Sequence, residues 1–186
     1  MKKENLKQLH IKTQRLCVQW SMFTELYLRE ENYYVFARTG EKFWGELESL
    51  LLDSIFLGIS RLLDSPKTGQ RENLSLRGLL DITIDESIRS RWESQIDLLD
   101  ELWRSGVKIW RDKYISHNDL EFSAKIKSLP NVPFSDIDKM INLISVLVCN
   151  ITKDEFMYEI AFIPPSTHWV STTLKYLKLG VNTKDD

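Results

Sequence analysis

Residues that interrupt helices are scarce in this chain, and their scarcity limits the folds that it can adopt. Its 186 residues include only seven glycines and five prolines, the two residue types that most often end regular secondary structure. The elements between them must therefore be long. Apolar residues recur within these elements at steps of three and four, which is the spacing of an amphipathic helix. The sequence therefore predicts an all-α protein with few turns.

The helical pattern divides the chain into a small number of long segments. Gly40 is suited to end the first segment. Ser135 is suited to cap the helix that begins at that serine. We predict four to five main helices with short connections, packed as a bundle in a single domain over residues 1–186. The predicted helices cover residues 4–37, 41–66, 73–81, about 85–117, 135–160 and about 167–178.

Two apolar stripes define the faces that we expect these helices to bury. The first belongs to the N-terminal helix, and the second runs along the long helix that ends near residue 117. The first stripe contains Leu6, Leu9, Leu16, Trp20, Phe23, Leu26 and Tyr27, and the second contains Leu99, Trp103, Gly106, Trp110, Tyr114 and His117.

Charge and hydropathy restrict the partners of the chain. The formal net charge is −2, so contact with nucleic acid would need a local basic patch. No segment approaches the roughly 20 apolar residues that a membrane span needs, and residues 1–14 lack the apolar region of a signal peptide. Cys17 and Cys149 stand alone in helical patterns, which favours two free thiols over a disulfide. We therefore predict a cytoplasmic protein that does not enter a membrane.

One polar segment combines residue types that suit acid–base chemistry on a phosphate. This segment is KIWRDKYISHND, residues 108–119, and it contains Arg111, Asp112 and His117. Histidine can move protons near neutral pH, whereas the guanidinium fork of arginine can stabilise charge on a phosphate. A neighbouring carboxylate can orient either group. The alternative is that the segment is the solvated polar end of a packed helix.

The spacing of this motif raises a geometric problem. Six positions along an α-helix rotate by about 240°, so Arg111 and His117 do not point the same way on an ideal helix. They would converge if the helix loosens near residues 116–118, or if two copies of the chain meet across a two-fold axis. Of the two other histidines, we expect His10 to lie on the surface and His168 to be structural.

Charged residues near the motif have both a structural and a functional interpretation. Arg61 and Asp64 lie three residues apart at the end of an apolar helix, where an ion pair between them is the favoured interpretation. In the functional interpretation, Arg61 lines a cleft for RNA. Lys108 and Lys113 either contact phosphates or solvate the helix surface.

Aromatic residues near the motif also have two interpretations. Trp103, Trp110 and Tyr114 could stack on bases. Aromatic residues at helical spacing are more often part of a core or of an interface between copies, and we favour that interpretation.

The segment RDKYISHND resembles the signature of the HEPN superfamily, which is an arginine, usually followed by Asn, Asp or His, then a short spacer and a histidine. Arg111, Asp112 and His117 occupy these positions. The helix FWGELESLLLDSIFLGISRLLD, the segment ENLSLRGLLD that follows it, and the place of the motif after a long helix resemble the abortive-infection U branch of the superfamily. The resemblance is strongest over residues 41–160.

The resemblance implies an all-α homodimer with both Arg–His pairs in one cleft, acting as a metal-independent endoribonuclease of phage defence or of toxin type. His117 would act as acid or base while the RNA 2′-hydroxyl attacks the neighbouring phosphate, Arg111 would stabilise the developing charge, and Asp112 would orient one of them. The implied partners are RNA and an antitoxin or another defence protein. Residues predicted to contact RNA are Arg61, Lys108, Lys113, Tyr114 and Asn118. The alternative is a non-catalytic helical module that binds RNA, a nucleotide or a protein.

The resemblance implies neither a metal nor a cofactor, and the sequence has no HExxH motif, no CxxC motif and no carboxylate cluster of metal spacing. His117, Asp119 and Glu121 could be drawn as metal ligands, which is the less favoured interpretation. Some HEPN toxins carry, two positions after the histidine, a tyrosine to which a partner nucleotidyltransferase adds AMP. Asp119 occupies that position here, so the resemblance does not imply control by that route.

Overall fold

Helices dominate the computed structural model, which describes residues 2–81, 86–116, 128–156 and 168–182. Within these ranges, five helices are 15 residues long or longer: α1 (Lys2–Tyr27), α3 (Glu41–Leu63), α5 (Glu86–Ser105), α7 (Phe134–Phe156) and α8 (His168–Asn182). Shorter helices are α2 (Tyr33–Thr39), α4 (Leu76–Asp81) and α6 (Val107–Trp110). A 3₁₀ turn covers Glu30–Asn32, and a π-helical turn covers Arg111–Ile115. The prediction of an all-α protein with four to five main helices is confirmed.

A small hairpin occupies part of the loop that was predicted after the second long helix. Strand β1 (Lys67–Thr68) pairs antiparallel with β2 (Arg71–Glu72), and Lys67 lies opposite Glu72. Gly69 turns the chain between the strands at a φ of +62°, a backbone conformation that glycine adopts without strain.

The chain divides into two compact units. The first contains residues 1–16 and 56–163, and the second contains residues 17–55 and 164–186. In the first unit, α5 packs against α4, α6 and α7, and Ile96, Leu99 and Trp103 are among its buried side chains. In the second unit, α2 packs against α8. Phe36 of α2 stacks on Trp44 there, with ring centroids 4.4 Å apart.

The predicted helix over residues 4–37 is two helices in the structure. The break is held by Asn32, whose buried side-chain amide donates hydrogen bonds to the carbonyls of Glu25 and Leu26 at 2.8 and 2.9 Å. These bonds satisfy carbonyl groups that would otherwise have no partner at the end of α1. Gly40 ends α2 as predicted, with a φ of +134° and a backbone hydrogen bond to Phe36.

Three smaller sequence predictions were also tested. Ser135 is not the residue before a helix, because α7 already begins at Phe134 and Ser135 lies in its first turn. Cys17 is a buried thiol and Cys149 is a half-buried one. None of the described helices combines the length and apolarity that a bilayer crossing requires.

Gly106 joins α5 to α6 at a point where the side chain of Val132 comes close. A Cβ atom at this position would lie 2.7 Å from Cγ2 of Val132, which is closer than packed carbon atoms can approach. Gly106→Ala should therefore lower the free energy of unfolding by about 1–3 kcal/mol through overpacking.

Gly45 provides a matched control, because a Cβ there meets nothing within 4 Å. Since Gly45 lies within α3, Gly45→Ala should raise the free energy of unfolding by about 0.5–1 kcal/mol. Denaturant unfolding measures both changes. Equal effects of the two substitutions would contradict the role of the Gly106–Val132 contact.

Candidate functional site

The predicted motif begins in the π-helical turn Arg111–Ile115. The backbone N–H of Ser116 donates to the carbonyl of Arg111 at 2.8 Å, a bond that spans five residues instead of the four of an α-helix. We predicted one continuous helix to about residue 117, but the structure interrupts it at Gly106 and widens it from Arg111 onward. Turns of this kind are rare and occur frequently at functional sites.

Arg111 is held by three side chains. Its Nη1 donates to Oδ1 of Asp64, the residue that follows α3, and its Nε donates to Oδ1 of Asp112 at 2.7 Å. The guanidinium carbon lies 5.3 Å from the ring centroid of Trp103, a cation–π contact. The Arg111 side chain is 18% exposed. Both the edge and one face of the guanidinium group are therefore fixed.

The ring beneath Arg111 is itself fixed. Trp103 is buried, and its Nε1 donates to Oγ of Ser60 at 2.9 Å. Lys108 lies over the same ring, with Nζ 5.8 Å from the centroid, and donates to Oδ2 of Asp112 at 2.5 Å. We call Asp64, Trp103, Lys108, Arg111 and Asp112 the Arg111 cluster.

The charges of the Arg111 cluster stabilise one another. Burial acts to lower the pKa of Arg111, but hydrogen bonds to Asp112 and Asp64 and their negative charges raise it above its ordinary value. Burial acts to raise the pKa of Asp112, but hydrogen bonds from Lys108 and Arg111 and their positive charges lower it. At neutral pH Arg111 is therefore a cation and Asp112 is a carboxylate.

Arg111 keeps donors for a further ligand. A guanidinium group has five N–H donors, and two of them bond to Asp64 and Asp112. Among the residues that the structure describes, Arg111 makes no other hydrogen bond, so one donor on Nη1 and two on Nη2 remain. Such a set of donors can bind two oxygens of a phosphate.

Several other predicted residues flank Arg111 along the chain. Lys113 and Tyr114 are exposed, the latter by 55%. Trp110 is half-buried and donates from Nε1 to the carbonyl of Pro130 at 2.8 Å. Its ring contacts that of Tyr114, with centroids 5.6 Å apart. Trp110 is therefore a packing residue, and Tyr114 is accessible.

The predicted ion pair between Arg61 and Asp64 is wrong. Asp64 pairs with Arg111, whereas Arg61 is exposed and forms no ion pair within the described ranges. No local pattern predicts this pairing, because Asp64 and Arg111 are 47 positions apart.

Some predicted residues fall outside the ranges that the structure describes. They are His117, Asn118, Asp119 and Glu121. Among the side chains within those ranges, no group of three or more His, Cys, Asp or Glu residues is placed to hold a metal ion.

Comparison with known proteins places the chain in a family. The family model for HEPN AbiU2, described as AbiU2, matches residues 3–151. These residues include the whole Arg111 cluster, whereas α8 lies beyond them. Comparisons with curated proteins and with solved structures give no match. Because the match covers most of its length, the chain belongs to the HEPN AbiU2 family, an abortive-infection branch of the HEPN superfamily.

Proposed function

We propose that this chain is a metal-independent endoribonuclease of bacterial phage defence, of abortive-infection or toxin type. The observation that carries the proposal is the fixed Arg111 guanidinium, which begins an Arg–Asp–x4–His motif in a HEPN AbiU2 chain. A cation that is oriented before the substrate binds stabilises transition-state charge without reorganisation during the reaction. Arg111 has this arrangement, with donors left for phosphate oxygens.

In the proposed reaction, the RNA 2′-hydroxyl attacks the neighbouring phosphorus, and the bond from phosphorus to the 5′-oxygen breaks. A general base takes the proton of the 2′-hydroxyl, and a general acid gives one to the 5′-oxygen. His117 fills one of these roles, and a homodimer would bring two Arg111–His117 pairs to one cleft. Asp112 orients Arg111 through its bond to Nε. The products are a 2′,3′-cyclic phosphate and a 5′-hydroxyl.

RNA contacts beyond the reacting phosphate are proposed for the accessible residues around the motif. Arg61, Lys113 and Tyr114 are exposed and could bind phosphates or stack on bases. Lys108 is already bonded to Asp112, so its charge serves mainly to hold that carboxylate. Asn118 completes the proposed set. We place the reaction in the cytoplasm, with a second copy of the chain and an antitoxin or another defence protein as further partners.

Incubation of the purified protein with total RNA in EDTA should test the proposal directly. We expect defined fragments, because the reaction needs no metal. Their 5′ ends should accept phosphate from a polynucleotide kinase without prior dephosphorylation, and their 3′ ends should ligate only after the cyclic phosphate is removed. Fragments that carry 5′-phosphates, or cleavage that EDTA stops, would contradict the proposed chemistry.

A second candidate function is favoured by the charge balance of the Arg111 cluster. Asp64 and Asp112 neutralise both Arg111 and Lys108, so a phosphate must compete with two carboxylates for the arginine. A non-catalytic module that binds RNA, a nucleotide or a protein would have no need to expose this arginine fully. If the chain is such a module for RNA, the purified protein should bind RNA in EDTA without cleaving it.

A further inference from the structure

One serine of α3 contacts two of the residues that hold Arg111. The Oγ atom of Ser60 accepts a hydrogen bond from Nε1 of Trp103 at 2.9 Å, and the carbonyl of Ser60 accepts one from the backbone N–H of Asp64 at 2.8 Å. Asp64 in turn bonds to the guanidinium group of Arg111, and Trp103 lies against its face. Because Ser60 is only 1% exposed, its contribution to the site passes through these two neighbours.

Trp103 supports both cations of the Arg111 cluster. The guanidinium carbon of Arg111 lies 5.3 Å from the ring centroid, and Nζ of Lys108 lies 5.8 Å from it. Trp103 is 4% exposed, so its ring is closed to a stacking base. A cation is attracted to the face of an indole ring, and this ring cannot rotate without breaking its bond to Ser60. The orientation of the ring therefore determines where the guanidinium group lies.

We propose that Ser60 and Trp103 are positioning residues for Arg111. The hydrogen bond between them fixes the direction of the indole ring, and the ring fixes the face of the guanidinium group. The remaining N–H donors of Arg111 are then directed at the phosphate oxygens before RNA binds. The catalytic consequence rests on the proposed ribonuclease function, whereas the position of Arg111 is measurable without it.

Replacement of Ser60 by alanine leaves the buried N–H of Trp103 without this acceptor, so the ring and Arg111 should shift. We expect the kcat for RNA cleavage to fall by about 10- to 100-fold, as it does when a catalytic group is displaced slightly. The KM should change by less than about threefold, because the positive charge remains. Trp103→Phe should lower kcat similarly. Addition of Ser60→Ala to Trp103→Phe should lower it no further, because the donor of the bond is already absent.

The stereochemistry of the substrate gives a measurement that does not depend on the folded fraction of a variant. The probe is an RNA with one phosphorothioate at the linkage that the parent protein cleaves, prepared as separate Rp and Sp diastereomers. One donor on Nη1 and two on Nη2 remain on Arg111, so a fixed guanidinium group distinguishes the two non-bridging oxygens. The parent protein should cleave one diastereomer at least about fivefold faster. This ratio should fall towards one in Ser60→Ala and in Trp103→Phe.

A second tryptophan of α5 provides a matched control. Trp92 is buried and donates from Nε1 to Asp154 at 3.1 Å, and the guanidinium carbon of Arg91 lies 5.5 Å from its ring centroid. Trp92 therefore shares with Trp103 the helix, the kind of hydrogen bond and the kind of arginine contact. Because these contacts do not involve the Arg111 cluster, Trp92→Phe should leave kcat and the diastereomer ratio unchanged.

Ser54 provides the corresponding control for Ser60. It lies in the same helix, α3, and its Oγ accepts a hydrogen bond from Nε2 of Gln19 at 2.7 Å. Ser54→Ala therefore removes an acceptor of the same type and should leave kcat and the diastereomer ratio unchanged. The denaturant midpoint of every variant shows how far a change in stability accompanies a change in rate.

The Nε–H resonance of Arg111 reports its position without any substrate. In ¹⁵N-labelled protein, this resonance is identified as the arginine side-chain peak that Arg111→Lys removes. Because the guanidinium group lies over an aromatic ring, its chemical shift depends on the direction of that ring. The peak should move in Ser60→Ala and in Trp103→Phe, and it should stay in place in the two control variants.

The outcomes separate this inference from the proposed ribonuclease. Absence of RNA cleavage by the parent protein would contradict the ribonuclease, and the Arg111 resonance would then decide this inference by itself. A resonance that stays in place in both Ser60→Ala and Trp103→Phe would overturn this inference alone. If RNA is cleaved, an unchanged diastereomer ratio in both variants would also overturn it. So would equal rates for the two diastereomers in the parent protein, or an equal loss of kcat in Ser60→Ala and Ser54→Ala.

Discussion

Replacement of His117 by alanine is expected to lower the rate of RNA cleavage by about 100- to 10,000-fold, the usual contribution of a positioned general acid or base. The chain has only two other histidines, His10 and His168. Neither belongs to the Arg–Asp–x4–His motif, so neither should replace the lost imidazole. The measurement is the initial rate of cleavage of a labelled RNA in EDTA.

The His117→Ala variant needs two accompanying measurements. Its molecular mass by light scattering and its denaturant midpoint should equal those of the parent protein, because the substitution removes a proton-transfer group from a polar segment. Added imidazole should restore part of the activity if a missing proton carrier is the cause. Full activity in the variant would contradict the assignment of His117.

Substitution of Arg111 by lysine is expected to lower the cleavage rate by about 100- to 1,000-fold, as the loss of a pre-oriented group for charge stabilisation typically does. Lysine keeps the charge but not the planar fork. A single ammonium group cannot bond to Asp64, Asp112 and a phosphate in the fixed directions that the guanidinium group provides. RNA binding should weaken much less, because the charge remains.

Arg104→Lys is the matched control for Arg111→Lys. Arg104 lies in α5 of the same unit, and its side chain is 67% exposed beside Asp100. This substitution should leave the cleavage rate unchanged. If Arg111→Lys cleaves RNA as fast as Arg104→Lys does, Arg111 supplies only charge, and its bonds to Asp64 and Asp112 have no catalytic role.

The sequence predicted the buried face of the first helix well because a single regular helix produces a regular apolar pattern. The residues predicted for that face are all buried: Leu6, Leu9, Leu16, Trp20, Phe23, Leu26 and Tyr27. The pattern did not reveal that α1 ends after Tyr27, since no glycine or proline marks the break. The bonds of Asn32 to two carbonyls of α1 hold this turn, and the sequence gives no sign of them.

The second predicted stripe was correct only in its first part. Leu99, Trp103 and Gly106 are buried, Trp110 is half-buried, and Tyr114 is exposed. The stripe assumed a uniform helix, whereas the helix is interrupted at Gly106 before Trp110, and Tyr114 lies within the wider π-helical turn. Local periodicity could not predict this turn, nor could it predict the contact of Asp64 with Arg111, which depends on how α3 packs beside α6.

The π-helical turn also bears on how the motif can vary during evolution. A hydrogen bond between residues five apart closes a turn that holds one residue more than an α-helical turn. Deletion of a single residue within 113–115 would convert this turn into an ordinary α-helical one and keep the preceding helix, Arg111 and Asp112 in place. The chain after Arg111 can therefore lose one residue of this turn without disrupting the Arg111 cluster.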